Sequence, residues 1–62
     1  MPSVYLITPL TSECGDWLRE NVSDDALYLG HSLAVEHRYV EELVGALIQD
    51  GFRLERDFRI TA

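Results

Sequence analysis

The sequence predicts one small α+β domain: two helices packed on one face of a three- or four-stranded sheet, in the order βαβαβ or βαββαβ. Three observations lead there. An apolar run near the start has no polar alternation, one later segment keeps the helical period without a miss, and two further segments alternate with period two. With 62 residues there is room for a single domain, 1–62.

The first strand is Ser3-Val4-Tyr5-Leu6-Ile7, whose continuous apolar character suits a central strand covered on both faces. Pro9 ends it. The stretch from Met1 to Ser12 is uncharged but is broken by Pro2 and Pro9 and has no basic flank. It reads as a strand rather than a signal peptide, and no segment approaches a membrane span, so a cytoplasmic address is expected.

A first helix is expected at about residues 12–21. Thr11 is a suitable N-cap, and Glu13 and Asp16 place negative charge in the first turns, where the helix dipole favours it. Leu10, Cys14, Trp17, Leu18 and Asn21 follow at helical spacing. Gly15 weakens the helix by ~1 kcal/mol relative to alanine.

Ser23-Asp24-Asp25 reads as a turn. From Leu27 to Glu36, Leu27, Leu29, Leu33 and Val35 share one face with His31, while Tyr28, Gly30, Ser32 and Ala34 share the other. One long strand bent at Gly30 and a hairpin with a Gly30-His31 turn fit this pattern equally.

The second helix is carried by Val40, Leu43, Val44, Leu47 and Ile48, with Arg38 and Glu42 spaced to pair across one turn and Gly51 where a helix-ending glycine belongs. Phe52, Leu54, Phe58 and Ile60 then alternate with Arg53, Glu55, Asp57 and Arg59, which marks a last half-exposed strand. Arg56 falls on its apolar face; it snorkels past the sheet edge or pairs with Glu36 or Glu55.

A chain this short buries only about 60% of the surface its unfolded form exposes, so a staple such as a disulfide, a metal or a second subunit is to be looked for. Cys14 is the single cysteine, which excludes an intrachain disulfide. As a nucleophile it would need His31 or His37 as base, but it shares a helix face with Trp17 and Leu18, where a free cysteine is a small core residue. His31, Glu36, His37 and Glu41 match no metal-ligand spacing. Phosphate-binding glycine loops, nucleophile elbows and paired zinc ligands are absent, and all five basic residues are arginine, so no catalytic lysine exists. Neither catalysis nor a cofactor is expected.

The charge is the most informative feature. Net charge is −6, and it is concentrated. Glu13, Asp16 and Glu20 form one stripe on the first helix, Asp24 and Asp25 continue it past the helix end, and Glu41 and Glu42 add a second cluster. Such a field repels nucleic acid and anionic membrane and attracts basic surfaces. Successive carboxylates on the stripe are separated by about 4.5–6 Å of helix rise, comparable to the roughly 3.4 Å of axis per phosphate in a nucleic-acid strand. A solvated helix face with dipole-favourable acids is the plain alternative. Tyr39, at the edge of the second helix's stripe beside Glu42, is a candidate interface anchor, whereas Trp17 belongs to the core.

In length, acidity and the acidic stripe, the chain resembles small phage or mobile-element proteins, including anti-CRISPR proteins, some of which imitate DNA. Trp17-Leu18-Arg19-Glu20 and Val35-Glu36-His37-Arg38-Tyr39 are also similar to segments of small bacterial and prophage proteins. The resemblance implies a non-catalytic inhibitor that engages a basic surface of a host protein, such as a CRISPR effector or another nucleic-acid-binding complex, without contacting nucleic acid or membrane itself. Two alternatives stand beside it. The first is a structural homo-oligomer, such as a homodimer, packing through an uncovered sheet side with Tyr5 or Leu6 and Tyr28. The second, more remote, is a small cysteine-dependent enzyme.

Overall fold

In the computed structural model, which describes residues 4–22 and 26–62, the order is β1 (Val4–Pro9), α1 (Ser12–Asn21), β2 (Tyr28–Leu29), β3 (Ser32–Glu36), α2 (His37–Gln49) and β4 (Phe58–Thr61). The strands form one sheet in the order β2-β3-β1-β4, and every neighbouring pair is antiparallel. Each helix therefore links two parallel strands that have a third between them. The β1-α1-β2 unit straddles β3, and the β3-α2-β4 unit straddles β1. This is the split βαβ arrangement of ferredoxin-like folds. It is the expected α+β domain in its four-stranded, βαββαβ form. Topology of this kind hosts many activities and specifies none.

Register decides which side chains share a face, because directly opposed residues point the same way. Tyr5 opposes Val35, Ile7 opposes both Leu33 and Ile60, and Pro9 opposes Phe58. From this face Ile7, Leu33, Val35 and Phe58 enter the core, where they meet Cys14 and Leu18 of α1 and Leu47 of α2. Both helices thus lie on one side. Two crossovers of the same hand on oppositely directed strand pairs lead there. The other face carries Val4, Leu6, Thr8, Ser32 and Ala34, and no described element covers it. β1 is central, as its apolar run indicates, but it is covered on one face only, and Val4 is 41% exposed.

α1 spans the expected residues because its cap is in place: Thr11 Oγ1 accepts the Cys14 N–H at 3.1 Å. Gly15 is buried beside the Pro9 ring. The segment from Leu27 to Glu36 takes the hairpin form. Leu29 and Ser32 pair across Gly30-His31, and Gly30 has a φ of 64° whereas His31 has a negative one. A positive φ at the first turn residue alone is the type II′ pattern, which calls for glycine there.

α2 follows β3 without a loop and ends in a Schellman motif. Gly51, at φ 99°, donates its N–H to the Ile48 carbonyl, and Phe52 donates to the Leu47 carbonyl, each at 3.0 Å. Arg38 does not pair with Glu42. It turns back to Glu36 at 3.7 Å and lays its guanidinium over the Tyr39 ring, 5.0 Å from the centroid. Ile48, at the margin of the apolar stripe, is 45% exposed.

The last strand is shorter than its alternation suggests. It starts only at Phe58, because residues 53–57 form a turn organised by Asp57. The Asp57 carboxylate accepts the Arg53 N–H at 2.9 Å and Arg56 Nε at 2.8 Å, and Glu55 adopts a φ of 68°. Arg56 is therefore not on a strand face at all. Its partners are Asp57 and the Gly51 carbonyl, not Glu36 or Glu55; Glu55 holds Arg59 instead, at 3.1 Å.

Candidate functional site

The helical period sets the orientation of the first acidic stripe. Cys14 and Leu18 point into the core, so Glu13, Asp16 and Glu20 are on the opposite side of α1, and all three are exposed. Asp16 is paired with Arg19 one turn on. Asp24 and Asp25 lie outside the described residues.

On α2 the expected cluster divides. Glu41 and Glu42 are both exposed but are about 100° apart around the helix. Glu42 and Tyr39 line the space between α2 and α1, and Glu41 is not among its lining residues. Tyr39 and Glu42 border an open groove of about 940 Å³ between the two helices. Leu33 and Val35 of β3 form its floor. Trp17, Asn21 and Val22 line the α1 side; Tyr39, Leu43 and Ala46 line the α2 side. Among the described residues, Glu36 and Glu42 are its charged lining residues, both negative, and Glu36 is paired with Arg38. Tyr28 opposes Leu33 across the β2–β3 pair, so it extends the floor toward the sheet edge, where it is 37% exposed.

The local sequence explains the groove. The α2 stripe of Val40, Val44 and Leu47 has a second seam beside it, Tyr39, Leu43 and Ala46, at offsets of four and three. The small side chain of Ala46 leaves room there, and β2, only two residues long, leaves much of β3 without an outer neighbour. Trp17 packs against the core, as expected, but is only partly buried and also forms a wall of the groove. It donates its indole N–H to the Asp50 carboxylate and meets the Phe52 ring edge-on at 6.2 Å. Asn21, Glu36, Leu43 and Ala46 have no place in the acidic-stripe reading, although the Tyr39-Leu43-Ala46 spacing marks the α2 wall in the sequence.

The remaining reactive side chains are elsewhere. Cys14 is fully buried, and its thiol is pushed above its ordinary pKa, first by burial and then by the charge of Asp57. Raising the pKa suppresses the thiolate, the reverse of what a nucleophilic cysteine needs. His31 is exposed in the hairpin turn, and His37 is exposed with its ring 5.7 Å from that of Tyr5. Among the described residues, no three His, Cys, Asp or Glu side chains converge on one point. No helix among them is long and apolar enough to cross a membrane.

No protein-family model, no curated protein and no solved structure matches the chain.

Proposed function

We propose that this domain is a non-catalytic binding protein whose acidic exterior engages a basic, nucleic-acid-binding surface of a partner protein, in the manner of a DNA-mimicking anti-defence inhibitor. One observation carries the reading. Four of the five arginines already hold carboxylates, yet Glu13, Glu20, Glu41 and Glu42 are exposed and, among the described residues, make no ion pair. Exposed acids on both helices give a long-range field that steers a cationic partner inward. Its test is two charge-reversed proteins, one with Glu13, Asp16 and Glu20 changed to lysine and one with Glu41 and Glu42 changed to lysine. The partner is expected to bind at least one of them more weakly, at unchanged fold. Undiminished affinity in both would contradict the reading.

The bare sheet face supports a second reading, a homo-oligomer. Leu6 is on that face, whereas Tyr5 and Tyr28 are on the helix side, so Val4, Leu6 and Leu29 would form the contact. A second copy there would supply the staple that so small a domain lacks. Light scattering at rising concentration tests it; a strict monomer excludes it.

A further inference from the structure

We infer that the groove between α1 and α2 is the seat for a bulky apolar side chain of the partner, carried on a segment whose flanking residues are Arg or Lys. This rests on the proposed basic partner and adds where, and through what chemistry, it docks. The interior of the groove is apolar, with Leu33 and Val35 below and Val22, Leu43 and Ala46 at the sides. Its volume of about 940 Å³ exceeds the need of one side chain and lies within the range of sites that enclose ligands.

Charge selects the occupant. Among the described residues the charged lining is Glu36 and Glu42, with no arginine; Glu36 already holds Arg38 and opposes Val4 of the bare sheet face, so Glu42 is the carboxylate the groove offers. A neutral or anionic apolar segment would leave the Glu42 carboxylate, which makes no ion pair among the described residues, without compensation beside the interface, which disfavours it. A second copy of this chain, with net charge −6, would bring acid toward acid. A cationic segment matches both features, the apolar anchor filling the groove while its flanking charges meet the rim. Tyr39 and Trp17 add aromatic surface, on which guanidinium groups stack well. Arg38 already lies over the Tyr39 ring, so a partner's guanidinium stacks at that position only by displacing it.

The test uses two short synthetic peptides of equal positive charge, Arg and Lys interspersed with Gly and Ser, with Leu at the centre of one and Ala in its place in the other. Trp17 is the only tryptophan in the chain and lines the groove, so its fluorescence reports occupancy directly. The Leu peptide is expected to bind about ten-fold tighter or better, since it buries three more carbon atoms' worth of apolar surface. It should also shift Trp17 emission and the amide resonances of Val22, Leu43 and Ala46. Ala46→Gln, which fills the groove, should remove the Leu preference; Tyr39→Ala, at an exposed position, should weaken the Leu peptide several-fold even if Ala46→Gln fails to fold. Equal affinity for the two peptides overturns the inference but leaves the proposed function intact, because contact then runs through charge alone. A Leu peptide of reversed charge that binds as well as the basic one overturns both. Absence of binding by either basic peptide overturns the groove assignment, as do groove resonances that shift with protein concentration alone, which would name a second copy as the occupant.

Discussion

Trp17 of α1 donates its indole N–H to the carboxylate of Asp50, the C-cap of α2, joining two helices across 33 positions of sequence. The bond holds the groove wall in place, with the Phe52 ring as its backing. Asp50→Ala should lower stability by about 1 kcal/mol, the usual net worth of a hydrogen bond, and should change Trp17 emission in the folded protein. Trp17→Ala should cost more, about 2–3 kcal/mol, somewhat below the range for a fully buried tryptophan. Urea titration followed by circular dichroism measures both.

Tyr39→Ala should behave in the opposite way. Tyr39 is 49% exposed, and its contacts are Arg38 and the groove. Stability should stay within about 0.5 kcal/mol of the parent, while partner affinity falls. A large loss of stability would make Tyr39 a structural residue and remove it from the interface.

Three glycines separate space from backbone conformation. A methyl group at Gly45 meets nothing within 4 Å, and at Gly15 it reaches ordinary contact with the Pro9 ring at 3.8 Å. Gly45→Ala and Gly15→Ala should each stabilise by about 0.5–1 kcal/mol, the helix-propensity difference. Gly51→Ala should destabilise by about 1 kcal/mol, because its φ of 99° is a conformation alanine rarely adopts. Thermal unfolding of the three variants should show two rises in Tm and one fall.

Much of this fold is legible in the sequence where one local signal fixes one element. Thr11 caps α1 and Cys14 and Leu18 keep its period, so the helix boundaries follow from residues alone. Gly51 likewise marks the end of α2. The last strand is misleading for a definite reason. Phe52 and Leu54 continue the period of Phe58 and Ile60, but the Asp57 carboxylate captures the Arg53 N–H and turns the chain between them. A side-chain acceptor leaves no trace in hydrophobic periodicity, and the misplaced Arg56 is its only mark. The groove is less legible still, because its width depends on how two helices sit over a sheet whose second strand is two residues long.

The Asp57 turn also gives the domain a pH dependence. The hydrogen bond from the Arg53 N–H, together with the charges of Arg56 and Arg53, holds the Asp57 carboxyl below its ordinary pKa, although burial opposes them. A carboxylate whose pKa is lowered on folding contributes stability above the unfolded pKa, near 4, and loses it as pH falls through the folded value. Stability should therefore decline below about pH 4, and Asp57→Asn should be less stable at neutral pH and decline less steeply in acid. A parallel decline in the parent and Asp57→Asn would assign the acid sensitivity to other carboxylates.

Cys14 offers a probe of the core. Its raised pKa and complete burial should make alkylation of the thiol as slow as global unfolding, and Cys14→Ala should cost about 1 kcal/mol without affecting partner binding. Fast alkylation of the folded protein, or lost binding in a folded Cys14→Ala protein, would return Cys14 to the list of functional residues.

In the proposed binding mode the acidic surface of the domain meets a basic surface of the partner, and competition with nucleic acid tests it. The tagged domain is used to capture its partner from the native cell, and excess DNA or RNA is then added to the complex. If the domain occupies a nucleic-acid-binding site, the expected result is a basic nucleic-acid-binding assembly that is released by the polymer and held more weakly as salt rises to physiological strength, where the Debye length is about 8 Å. A partner that stays bound in excess nucleic acid and at high salt, and binds both charge-reversed proteins as tightly as the parent, would contradict that binding mode.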